Sequence, residues 1–144
     1  METKKITAVM ILEIIGKPAE HLVTTLEEII KEMGNEKGVE IINTKINEPA
    51  ELKDKPDFFT TFSEIEIEVE ETIQLAILMF KYMPAHIEIV SPESIVLTNN
   101  EYGEVLSELT RRLHKYDEVA RVVQMEKDIL EKKLKGMLEK NEDK

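Results

Sequence analysis

From Ile6 to Ile15 the chain is almost continuously apolar and partly β-branched, and Gly16 ends the run. A strand covered on both faces has that pattern, so the first element is expected to be a central strand. Pro18 suits the first turn of a helix, and Leu22, Leu26, Ile29, Ile30 and Met33 follow at helical spacing until Gly34 stops it. Gly38 opens a second expected strand, Val39 to Ile46. The polar stretch from Asn47 to Asp57, with two prolines, reads as a loop in which the chain turns. From Phe62 to Glu70 the alternation is strict, with Ile65, Ile67 and Val69 on one face. Glu64, Glu66, Glu68 and Glu70 line the other face, and Phe62 is out of phase. Thr72 can cap a helix running to about Met83 that is apolar nearly all round, which predicts cover on more than one side. Pro84 ends it, and His86 to Val90 alternates as a further strand with Ile87 and Ile89 inward, before a turn at Ser91-Pro92 and a short apolar run from Ile95 to Leu97.

The order strand, helix, strand, strand, helix, strand predicts an α+β domain over residues 1–98. It is the ferredoxin-like βαββαβ sandwich, two helices on one face of a four-stranded antiparallel sheet. The opposite sheet face would carry Val9 and Ile11 beside the glutamate row, and a surface so mixed is expected to be covered in part.

Beyond Asn99 and Asn100, either of which can cap a helix, no proline occurs to the end of the chain. Residues 99–140 are therefore expected to form one long amphipathic helix, about 60 Å at 1.5 Å per residue, with a frayed tail over 141–144. A heptad runs through it. One seam is Leu106, Leu113, Ala120, Lys127 and Leu134, and the other is Leu109, Tyr116, Val123, Leu130 and Met137. Only Lys127 among them is charged, so the pattern predicts coiled-coil-like pairing; a lone charged seam residue can fix register or snorkel at the edge. Val105, Val119, Val122 and Ile129 widen the stripe, which predicts that part of the helix also packs on the domain.

With 144 residues, 42% apolar and 34% charged, the chain has room for one ordinary core plus an appendage and is expected to fold without a cofactor. Its net charge of −11 repels phosphate backbones and anionic lipid, so neither nucleic acid nor membrane is an expected partner. The absence of cysteine removes disulfides, thiolate metal sites and cysteine nucleophiles together and fits a cytoplasmic protein. The apolar run near the N-terminus is interrupted by Glu13 and too short to span a bilayer. Lys, Glu and Ile are abundant, as in proteins of hot-living or archaeal sources.

Candidate chemistry is sparse, and no catalytic, cofactor-binding or metal-ligating set is expected. Glu64, Glu66, Glu68 and Glu70 supply hard oxygen donors, but alternate strand residues stand about 6.6 Å apart and diverge, so a solvated acidic face is the better reading. His86 and Glu88 share one side of their strand, yet the expected strand order separates them from the glutamate row. A metal-dependent enzyme using Glu64, Glu66, His86 or Glu88 is the weakest of three functional readings. His21, His86 and His114 fall in three different elements. No nucleophile elbow, Ser-x-x-Lys site or glycine-rich phosphate loop occurs. The one basic cluster is Arg111, Arg112, His114, Lys115 and Arg121, whose expected role is to pair with Glu104, Glu108, Glu126 and Asp128 along the seam rather than to bind phosphate.

The stretch Ile14-Ile15-Gly16-Lys17-Pro18-Ala19-Glu20-His21-Leu22 resembles the strand-to-helix turn of ACT domains, small ferredoxin-like modules that bind amino acids between paired subunits. Where such domains usually carry an acidic residue before the turn and a glycine after its proline, this chain has Ile15 or Gly16 and Ala19. The resemblance implies a small-molecule-sensing turn at Gly16, Lys17, Pro18 and His21, which is the second reading. The leading expectation is a non-catalytic interaction module, homodimeric through the C-terminal helix, the sheet face or both.

Overall fold

The computed structural model describes residues 5–143. Its longest pairing joins Ile6–Gly16 (β1) to Phe59–Val69 (β4), antiparallel from Ile6 opposite Val69 to Gly16 opposite Phe59. Val39–Ile46 (β2) lies on the far side of β4, and His86–Ser91 (β5) on the far side of β1. The order is β2-β4-β1-β5, every neighbour antiparallel. A fifth strand, Ala50–Glu51 (β3), pairs with the start of β4, setting Ala50 opposite Thr60. Among the described residues three helices complete the α+β arrangement: Ala19–Gly34 (α1), Thr72–Tyr82 (α2) and Asn99–Glu142 (α3).

β3 corrects the expectation of a four-stranded sheet. It lies in the segment between Pro49 and Pro56, where two residues are too few for any alternation to show. The loop closes on itself through the Leu52 N–H, which donates to the Phe58 carbonyl at 2.9 Å. β4 likewise begins three residues before Phe62, because Phe59, Thr60 and Thr61 find partners in Gly16, Ile15 and Ile14.

The core follows from the period-two pattern. Ile6, Ala8, Met10 and Leu12 of β1 and Ile65, Ile67 and Val69 of β4 share one sheet face, where Leu26 and Met33 of α1 and Leu75 and Leu78 of α2 cover them. Each of these side chains other than Ala8 contributes about 1.5–3 kcal/mol by leaving water. Thr61 and Ser63 extend this face as buried polar residues. The Thr61 hydroxyl donates to the Asn47 carbonyl at 2.6 Å, whereas the buried Ser63 hydroxyl has no hydrogen-bond partner among the described residues. In α2, Leu75, Ala76 and Leu78 are buried, Ile73, Ile77 and Phe80 are half-buried and Met79 is exposed, so the helix is covered mainly on one side within the chain.

Two helix starts differ from the sequence reading. Glu71, not Thr72, is the N-cap of α2, and its side chain and that of Gln74 form a reciprocal capping box. In α3 the cap is supplied by Thr98, whose hydroxyl accepts the Glu101 N–H at 3.1 Å, rather than by Asn99 or Asn100. The pattern Thr98-Asn99-Asn100-Glu101 is the capping-box signature that marks this start. At the other end the helix continues through Gly136 to Glu142, two residues into the expected tail.

The chain divides into two units, one up to Glu108 and one from Leu109 onward. The first ten residues of α3 thus belong to the α+β unit, where Val105 is half-buried, and the remaining helix forms the second. Among the described residues, no helix is long and apolar enough to cross a membrane.

Candidate functional site

The C-terminal part of α3 carries a series of exposed apolar side chains. Leu113, Tyr116, Ala120, Val123, Leu130, Leu134 and Met137, all seam positions, are exposed, with Leu130 and Met137 each at 65%. Leu106 of the first unit is exposed too, and Leu109 is half-buried. Val119, Val122 and Ile129, which widen the stripe, are exposed as well. No residue of α3 is fully buried.

A concavity of about 340 Å3 on this surface is lined by Val123, Glu126, Lys127, Leu130, Glu131 and Leu134. These are two overlapping sets at spacing i, i+3, i+4, i+7: residues 123, 126, 127 and 130, then 127, 130, 131 and 134. Four residues at that spacing make the hole that receives a side-chain knob from a facing helix. The apolar floor comes from the seam, and the rim is charged.

Polar side chains on and beside the rim are partly paired along the helix. Arg121 meets Asp117 at 3.0 Å and Lys127 approaches Glu131 at 3.9 Å, both at i, i+4, while the Gln124 amide donates to Asp128 at 3.0 Å. Exposed pairs of this kind contribute only a few tenths of a kcal/mol, about 0.3–0.5, to the helix.

The glutamate row lies on the sheet face away from the core. Glu66 stands between Val9 of β1 and Asn43 of β2, and Glu64 between Ile11 and Lys45. Glu68 pairs with Lys5 at 3.3 Å. Val9 and Ile11 are half-buried, whereas Phe62 and Ile15 on the same face are exposed. His86 is opposite Ile11 and Glu88 opposite Val9, so β1 separates both from the glutamates by two strand spacings, about 9.6 Å. Among the described residues, no three His, Asp or Glu side chains are grouped to hold a metal ion.

At the turn that resembles an ACT domain, Gly16 closes β1 tightly: a β-carbon there would lie 3.1 Å from Leu22. Pro18 is the N-cap of α1, and its carbonyl accepts the His21 N–H at 3.1 Å. The Lys17 ammonium sits 5.0 Å from the centre of the Phe58 ring, a cation–π distance, and the His21 side chain is exposed. The four residues are brought together by the backbone, while two concave regions of this unit are lined by others.

One, about 430 Å3, has an apolar floor of Ile6, Ile73, Ile95, Leu97 and Val105 and a rim that includes Glu70, Glu71, Glu101 and Glu104. The run from Ile95 to Leu97 therefore serves as cleft wall, not strand. The other, about 260 Å3, is bounded by Leu12, Ile14, Ile29, Glu32, Lys81 and Tyr82. Beside it the Tyr82 hydroxyl donates to the Glu36 carboxylate at 2.9 Å, and Lys81 bonds to the same Glu36 oxygen. Burial first, then the hydrogen bond and negative charge of Glu36, then Glu32, push the Tyr82 phenol well above the ordinary tyrosine range.

A family model matches residues 7–143, nearly the whole chain, and the protein belongs to the MJ0538 family. No curated protein and no solved structure matches the chain.

Proposed function

We propose that the protein is a non-catalytic assembly module in which two copies of the chain pair through α3 beyond Glu108. The carrying observation is the pair of successive knob-accepting holes on an exposed apolar seam. A contiguous apolar stripe that a single chain leaves in water favours burial against another surface. A second copy fits because the repeat needs a partner of the same period, and an identical helix has it. The α+β unit would be the carried body. Its strand order β2-β4-β1-β5, all antiparallel, with one helix between β1 and β2 and one between β4 and β5, supports a ferredoxin-like reading once the two-residue β3 is set aside. Dilution in an analytical ultracentrifuge tests the proposal: the mass should fall from two chains toward one as the concentration drops through the dissociation constant. A single-chain mass throughout would refute it.

A further inference from the structure

Resting on that assembly reading, we infer that the partner helix runs antiparallel, in a register that sets Glu126 against the partner's Lys133 and Lys127 against the partner's Leu130. Charge along the seam decides the direction. In a parallel, in-register pair each seam residue meets its own copy, so Lys127 would face the partner's Lys127 at the centre of the interface. The flanking contacts of a parallel pair join a residue to one five positions further along the partner, which sets Glu126 against the partner's Glu131, twice by symmetry. Its one attractive flank, Arg112 with the partner's Asp117, would draw on a carboxylate that Arg121 already engages at 3.0 Å. Parallel pairing thus gathers like charges around the two holes.

Reversing the partner removes these clashes. With Lys127 opposite the partner's Leu130, Ala120 meets the partner's Met137 and Val123 the partner's Leu134, and symmetry repeats each layer. Lys127, whose side chain is 63% exposed in the single chain, then contributes its alkyl stem beside a leucine while its ammonium stays in water. On one flank Glu126 pairs with the partner's Lys133, twice; on the other Gln124 faces the partner's Glu131, which is neutral. Sliding the partner by one heptad in either direction sets Glu126 against the partner's Glu126, or Lys133 against the partner's Lys133. All six layers lie between residues 120 and 137, within the second unit.

The sign of one charge reversal separates the two directions. In the antiparallel register Glu126→Lys opposes two like charges, and the dimer dissociation constant at low salt should rise roughly tenfold. Lys133→Glu alone should weaken it similarly, and Glu126→Lys with Lys133→Glu should return it to within about twofold of the original. In a parallel pair Glu126→Lys would instead face the partner's Glu131 and tighten the dimer. Tightening, or no change, overturns the inference, whereas a chain that is monomeric at every concentration overturns the assembly reading itself.

The cysteine-free sequence allows an independent check. A mixture of Val123→Cys and Leu134→Cys chains should form the mixed disulfide on mild oxidation. Val123→Cys alone should not crosslink, because its two copies would be eleven residues, about 16 Å, out of step, against the roughly 7 Å between α-carbons that a disulfide spans. Efficient self-crosslinking of Val123→Cys overturns the antiparallel register.

Discussion

The side-chain amide of Gln74 occupies the space into which a β-carbon on Gly38 would project, its nitrogen 1.8 Å from that position. Gly38 has φ +74°, a conformation that favours glycine, and its carbonyl accepts the Glu70 N–H at 3.2 Å. Gln74 in turn accepts the N–H groups of Glu70 and Glu71, both at 2.9 Å, and donates to the Lys37 carbonyl at 3.0 Å. One amide thus ties the entry of β2 to the turn between β4 and α2. Gly38→Ala should destabilise the α+β unit by about 2 kcal/mol or more, since it adds both backbone strain and a clash. Gln74→Ala should cost about 1–3 kcal/mol through lost hydrogen bonds. Urea unfolding followed by circular dichroism measures both, and a Gly38→Ala chain as stable as the original would contradict the account.

Tyr82 predicts a pH dependence. Its phenol ionises less readily folded than unfolded, because burial and the Glu36 carboxylate oppose a second negative charge. A group whose folded pKa is raised adds stability that is fully present below its unfolded value and lost as pH climbs above it. The stability difference between the wild-type chain and Tyr82→Phe should therefore be constant up to about pH 10 and shrink beyond it. Chemical denaturation at pH 8, 10 and 11 measures this, and a difference that grows above pH 10 would contradict the assigned environment.

Core and seam should respond differently to the same truncation. Leu26 is fully buried against both long strands' inner face, so Leu26→Ala should cost about 2–5 kcal/mol of unit stability without changing chain association per folded molecule. Leu134→Ala removes a side chain exposed in the single chain, so it should leave urea unfolding of the α+β unit unchanged and raise the dimer dissociation constant. Paired denaturation and dilution experiments on the two variants separate these effects.

What could be read from the sequence, and what could not, follows from periodicity. Ile65, Ile67 and Val69 alternate with glutamates because one sheet face is buried and the other wet, and the structure keeps that division. Phe59, Thr60 and Thr61 carry no alternation, and their strand exists only because the end of β1 supplies partners. The cap of α2 was hidden because Glu71 is a weak cap alone and works through Gln74, while Thr72 is the commoner capping type. The seam of α3 was legible as a heptad. The holes on it required the helix surface, since they combine the seam residues Val123, Lys127, Leu130 and Leu134 with Glu126 and Glu131.

The most direct test of the central claim is the solution mass, by light scattering after gel filtration, of the full chain beside the full-length Leu130→Glu variant. Leu130 lines both holes, so a charge there should block pairing while leaving the α+β unit folded. The account predicts about twice the 16.6 kDa chain mass for the original and 16.6 kDa for the variant. Equal masses for the two, whether both single or both double, would contradict pairing through α3.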